Sequence, residues 1–307
     1  MTTRPRFVDL PDGNARGVFG TDDQLGCLNL LTPERTAAAA ALVRSGTVFS
    51  LNAPIFDWPD PNPPSSPRKT PDHEVFELVP NVVLDDALNH FYLQASSQWD
   101  GFLHVRDPAS GQFYNGQHQP RIGVEVWAER GIAGRGVLLD VAAWATAAGE
   151  DWAWQRRRPV TAADLEACAD AQGVAIGEGT ILLIRLGWET GYRALDRDGR
   201  VAYASSGQHA PGLEASADMA ARLWDWGVAA VAGDTIALEA KPYQDPMDKI
   251  LHTLLLPRLG LPMGELWLLD ALAQACAAEH RYEFFLTSAP LNVRGGVGTP
   301  ANALAVM

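Results

Sequence analysis

Residues 179–188 read GTILLIRLGW. A short, unbroken apolar run with glycine close to each end suits a strand buried on both faces. Two other stretches have the same character: GRGVLLDVAAW (134–144) and GVAAVAGDTIAL (227–238). Between and around them lie segments with helix start and stop signals. TAADLEACADAQG opens on Thr161 and stops at Gly173, and SADMAARLWDWG opens on Ser216 and stops at Gly227. LTPERTAAAAALVRSG has Thr32 to cap, Pro33 at the first helical position and Gly46 to end it. Helices are also expected over PMDKILHTLLLPRLG (246–260) and GELWLLDALAQACAAEH (264–280), and strands over VFSLNAPI (48–55) and YEFFLTSAPL (282–291). Strand and helix in alternation predict an α/β fold with a mixed or partly parallel sheet flanked by helices. The expected organisation is a single domain over residues 1–307. Its first 75 residues form an arm and the proline-rich loop DWPDPNPPSSPRKTPDH (57–73), packed on the rest.

The bulk properties exclude several classes. The chain has 307 residues, 47% of them apolar, and a net charge of −13. That acidity makes nucleic acid and anionic membranes poor partners. Cys27, Cys168 and Cys276 are odd in number and far apart, which argues against a disulfide scaffold or a zinc finger. No apolar stretch approaches the roughly 18–20 residues of a membrane span. The start, MTTRPRFVDLPDG, has no apolar signal region. A cytoplasmic enzyme acting on a small molecule is the expectation.

Candidate chemistry gathers in FYLQASSQWDGFLHVRDPASGQFYNG (91–116). Asp100 and His104 are four apart, which would place both on one face if the segment were helical. Such a pair can share a metal, work as an acid and a base, or form a plain surface ion pair. Gln94 and Gln98 precede it. His252 lies in an apolar helical pattern, where a histidine is often a hydrogen-bonded core residue. Glu265 reads either as a carboxylate in a helix's first turn or as a buried acid in need of a partner. Asp234 ends an apolar run, at the kind of strand end where α/β proteins gather ligands, or else is a turn residue after Gly233. GGVGTP (295–300) lacks the lysine of a phosphate loop and reads as a tight turn. There is no G-x-S-x-G and no H-E-x-x-H.

Several blocks together resemble the cyclase family of metal-dependent hydrolases, which includes kynurenine formamidase and isatin hydrolase. They are FGTDDQLGCLNLLTPERTAAAAALVRSGTVFSL, GRGVLLDV, GTILLIRLGW, AVAGDTIALE and YEFFLTSAPLNVRGGVGTPANALAV, in that order. The family motif is H-x-G-T-H-x-D-x-x-x-H, followed later by a histidine and a glutamate. With its acid laid on Asp100, the last histidine falls on His104, the two earlier ones on Gln94 and Gln98, and the later pair on His252 and Glu265. Two imidazole ligands of the family are therefore amides here. The resemblance implies a swivelling β/β/α domain, a homodimer or homotetramer, and a metal held by Asp100, His252 and Glu265 with the oxygen of Gln98. One Mn²⁺, Mg²⁺ or weakly held Zn²⁺ suits that oxygen-rich set better than two zinc ions.

The function expected from this is hydrolysis of an amide, lactam, lactone or ester in a small cyclic or aromatic molecule, of arylformamidase type. His104 and Glu265 would be the catalytic groups. Trp99, Phe102, Tyr114, Asn115, Gln94, His73 and Asp234 would contact substrate. Two rival expectations are a metal-free lyase, isomerase or cyclase using His104 with Asp100 or Glu265, and a non-catalytic small-molecule binder.

Overall fold

Three short runs of aliphatic residues form the middle of one large sheet. The computed structural model describes residues 4–55, 68–117 and 121–307. Among these the strands are β1 (Val48–Ser50), β2 (Asp72–Val79), β3 (Val83–Asn89), β4 (Gln98–Asp100), β5 (Ile132–Asp140), β6 (Pro159–Val160) and β7 (Thr180–Arg185). They continue with β8 (Gly212–Leu213), β9 (Val228–Gly233), β10 (Met263–Glu265), β11 (Glu283–Ser288), β12 (Gly298–Pro300) and β13 (Ala303–Val306). Nine of them pair in the order β1-β13-β11-β5-β7-β9-β10-β4-β12. The centre, β5-β7-β9-β10, is parallel and both flanks are antiparallel. This is the mixed sheet that the alternating pattern predicts. Every residue of β9 is buried, as a strand covered on both faces requires.

The helices that cover the sheet start where their caps stand. Thr161 and Asp164 form a reciprocal capping box ahead of Ala162–Gln172, and Ser216 accepts from Met219 N at the head of Ala217–Asp225. The run 134–144 is part strand and part helix. It changes at Asp140, whose carboxylate accepts from Ala143 N and starts the helix Val141–Ala147. Arg185, at the end of β7, bridges Asp140 at 2.8 Å and Asp270 at 2.6 Å, tying two helix starts to the sheet.

One open condition is decided and two sequence expectations are corrected. The segment around Asp100 is strand β4 followed by a turn, not helix. Glu265 closes strand β10, and the helix expected from 264 begins only at Asp270. Pairing with β9 and β4 overrides the local helical pattern there, and Trp267 is tied back through its N–H to Gly233 O and its Nε1 to Gln98 O. The helix expected over 246–260 begins at Leu251 and widens to π geometry over Leu254–Leu259, where Pro257 has no N–H to give the regular ladder.

Leu10, Ala15, Cys27, Leu28 and Leu30 are buried in the main core, so the N-terminal segment is part of that core as well as an extension over it. The proline-rich loop falls largely on residues 56–67, outside the described residues. β2 and β3 form a separate exposed hairpin. Among the described residues no helix is long and apolar enough to cross a membrane.

Gly264, at the centre of β10, pairs with Trp99 on one side and Ala232 on the other. A β-carbon there would lie 2.7 Å from the Ala232 methyl and 2.8 Å from Trp267 Nε1. Gly264→Ala is expected to cost about 1–3 kcal/mol of stability through overpacking, read by urea denaturation.

Candidate active site: one imidazole among three buried carboxylates

The alternation of a pleated strand decides which side chains meet. In β4, Gln98 and Asp100 point to one face and Trp99 to the other. β10 runs antiparallel to β4 with Glu265 opposite Gln98, so Glu265 joins the same face. All three side chains are buried. Gln98 Nε2 donates to Glu265 Oε2 at 2.7 Å, and Gln94 Nε2 donates to Asp100 Oδ1 at 2.5 Å.

His252 enters from the short helical turn Leu251–Thr253. Its Nε2 lies 3.1 Å from Glu265 Oε1 and 3.6 Å from Asp100 Oδ2. On its other side, Nδ1 lies 2.5 Å from Glu239 Oε1. Glu239 also accepts from the backbone N–H groups of Leu251 and His252, at 2.7 and 3.3 Å. One buried carboxylate thereby starts the turn and orients its imidazole, the arrangement that carboxylates give metal-binding histidines. Sequence reasoning did not single out Glu239. The signal available was an acid closing the apolar run TIALE, where a charge needs a buried partner.

His104 follows β4 through a turn closed by His104 N donating to Gly101 O at 2.9 Å. Its Nε2 is 3.9 Å from Asp100 Oδ1, and its side chain is 28% exposed against 1% for Asp100. The two imidazole centroids are 6.0 Å apart. Asp100, His104 and His252 each offer one ligand atom within 4.8 Å of the others, a group able to hold a metal ion. Tyr243 packs edge-on to His252 at 6.3 Å, and the Lys241 ammonium sits 3.7 Å from the centroid of the Tyr243 ring.

The electrostatics follow from this crowding. Burial pushes the Asp100 carboxyl up, but His104, His252 and Gln94 together outweigh it and leave it below its usual range. Glu265 is held above its usual range by burial and by the neighbouring Asp100 charge. Burial works against a charged His252, yet Tyr243 and the facing acids Asp100, Glu239 and Glu265 raise it well above the ordinary imidazole value. At the site two buried acceptor atoms, Asp100 Oδ2 and Gln98 Oε1, have no hydrogen-bond donor among the described residues. Unpaired acceptors in a ring of acids are what a bound cation would satisfy.

Several residues expected at the pocket serve the frame instead. Trp99 faces away from Asp100 and donates Nε1–H to Ser288 Oγ while packing edge-on to Trp267. Phe102 is fully buried between Tyr114 and Trp127, and the Tyr114 hydroxyl donates to Asp23. Asn115 ties the loop carbonyls of Gly20, Thr21 and Asp23 and accepts from Gly17 N. His73 stands on the exposed hairpin, paired with Asp86. Asp234 accepts from the N–H groups of Leu186 and Gly187, the turn role its place after Gly233 allows.

With fold and site described, the class is an α/β protein carrying a histidine–carboxylate centre on one face of its sheet. The Cyclase family model matches residues 47–240, which take in Gln94, Asp100, His104 and Glu239 and stop short of His252. A crystal structure described as a novel cyclase is 32% identical, with a TM-score of 0.82, covering 96% of this chain and 99% of that one. The chain belongs to the cyclase family. Isatin hydrolase A from Ralstonia solanacearum shares the fold at 19% identity and a TM-score of 0.61, over 90% of this chain and 98% of its own. A structure described as a predicted metal-dependent hydrolase from Bacillus stearothermophilus does so at 16% identity and a TM-score of 0.51, over 84% and 97%. No curated protein sequence matches the chain.

Burial pushes Asp234 up to about 7 against its two backbone donors and Arg185. A carboxyl raised in the fold binds its proton more tightly there than when unfolded. Its contribution is present below the unfolded value near 4 and is lost as pH rises through 7. The stability of the protein relative to Asp234→Asn should therefore decline between pH 4 and 7, measured by thermal unfolding across that range.

Proposed function

We propose that the protein is a metal-dependent hydrolase of an amide, lactam, lactone or ester bond in a small cyclic or aromatic molecule. The observation that carries this is the buried ring of Asp100, Glu265 and Glu239 around His252, with two acceptor atoms left unpaired. Asp100, His252 and Glu265 would hold one divalent ion, with Gln98 Oε1 as a further oxygen. Gln94 and Gln98 stand where family members have histidine, so fewer nitrogen ligands are available and a harder ion such as Mn²⁺ or Mg²⁺ suits the set better than zinc. When bound, such an ion polarises a carbonyl and makes a water more acidic.

The chain's own groups supply the rest. Glu239 holds the Nδ1 side of His252 and leaves Nε2 facing Asp100 and Glu265. Burial and the Asp100 charge raise the proton affinity of Glu265, so its ionised carboxylate is a stronger base than an exposed glutamate. His104, the most exposed member, is the group that substrate would meet first.

A second reading has its own observation. The amide N–H groups of Gln94 and Gln98 already satisfy one oxygen each of Asp100 and Glu265. A metal-free lyase, isomerase or cyclase would use His104 with those acids.

Metal content after purification without chelator, and hydrolysis of a panel of N-formyl anilines, isatins and aryl lactones before and after chelation, separate the two. The first reading expects about one metal per chain, lost together with activity on chelation. Retained turnover in metal-free protein supports the second. Asp100→Asn and Glu265→Gln should lower metal stoichiometry, and His104→Ala should cut kcat by roughly 10²–10⁴-fold with the fold intact by circular dichroism.

A further inference from the structure

Gln94 is held in place by more than its own hydrogen bonds. It reaches the site across Gly298 of β12, which pairs with Asp100. A β-carbon on Gly298 would lie 2.4 and 2.6 Å from Gln94 Cγ and Cδ, so the glycine makes the room in which the amide lies. The amide nitrogen touches two groups at once: Asp100 Oδ1 at 2.5 Å and His104 Nδ1 at 3.0 Å.

Those two contacts define each other. A carboxylate oxygen accepts and has no hydrogen to give, so the Gln94 atom facing Asp100 is the NH₂ and not the carbonyl oxygen. That NH₂ has a second hydrogen, and the group in its reach is His104 Nδ1. Nδ1 must then be a bare lone pair, and a neutral imidazole with a bare Nδ1 carries its hydrogen on Nε2. His252 differs, because the Glu239 carboxylate faces its Nδ1 and holds a hydrogen there.

We infer that Gln94 is a positioning residue that fixes His104 as the Nε2–H tautomer, so that His104 gives a hydrogen bond from Nε2 to a substrate oxygen and neither ligates a metal nor acts as a base through that atom. Ligation and proton uptake at Nε2 both need a lone pair there. The three-residue cluster able to hold an ion therefore loses His104 as a ligand, leaving His252 as its imidazole. A fixed N–H donor near a carbonyl stabilises the negative charge that develops on its oxygen during acyl transfer. The tautomer rests on geometry alone. Its assignment to a substrate oxygen rests on the hydrolase reading above.

The test is a long-range ¹H–¹⁵N correlation spectrum of protein labelled with ¹⁵N-histidine, recorded above pH 8, as purified and after chelation. His104 is assigned from the pattern missing in His104→Asn. The expected result is a protonated Nε2 and a bare Nδ1 for His104 in both samples, with Gln94→Leu turning that single pattern into a mixture. A hydrogen on Nδ1, a metal-shifted Nε2, or a pattern unchanged by Gln94→Leu would overturn the inference. If Gln94→Leu does not fold, the wild-type spectrum decides alone. No substrate is needed, so a failure to find hydrolysis leaves this result standing, and a wrong tautomer leaves the hydrolase reading standing.

Discussion

The candidate site depends on the cost of burying acids. Asp100, Glu239 and Glu265 are each almost fully excluded from solvent, within one hydrogen-bonded cluster centred on His252. Removing ionised carboxylates from water costs several kcal/mol apiece unless charge and hydrogen bonds offset it. One imidazole, one N–H from each glutamine amide and the backbone N–H groups of Leu251 and His252 offset part of that cost, and among the described residues Asp100 Oδ2 and Gln98 Oε1 still lack donors. A cluster so acceptor-rich is poorly arranged as core and well arranged to take up a cation. The frame is built to hold it: β4 and β10 present the acids in register, and Gly264 lets the strands approach.

In the proposed reading, Gln94 and Gln98 take the place of two imidazole ligands without emptying the site. An imidazole ligand donates a lone pair to a metal. An amide can present N–H to a neighbouring carboxylate or oxygen to a cation, but one atom cannot do both. Gln98 does the first through Nε2 and keeps Oε1 free, while Gln94 spends both hydrogens on Asp100 and His104. In the proposed reading the amides thus give control of orientation in place of nitrogen ligands, and the ring nitrogens of His104 and His252 meet different partners at Nδ1.

Much of this was legible in the chain. The aliphatic runs 134–144, 179–188 and 227–238 supply β5, β7 and β9, because buried parallel strands need continuous apolar sequence. Capping residues Thr32, Thr161 and Ser216 stand where their helices start. The site was legible mainly through resemblance, since Asp100, His252 and Glu265 lie far apart in sequence and meet only through strand pairing. What escaped was tertiary. Trp99 lies next to Asp100 in sequence and on the opposite face in space, because side chains alternate along a strand. Glu265 sits in a helical pattern that pairing with β4 and β9 overrides. Glu239 has no local signal for the partner it finds thirteen residues later.

The central claim is that the ring of acids around His252 is a cation site. Anomalous diffraction at the manganese edge, from crystals grown with Mn²⁺, tests it most directly. The account predicts one peak enclosed by Asp100, Glu265 and Nε2 of His252, with Nδ1 still on Glu239. A map with no peak there, and with the carboxylates still joined to Gln94 and Gln98, would contradict it.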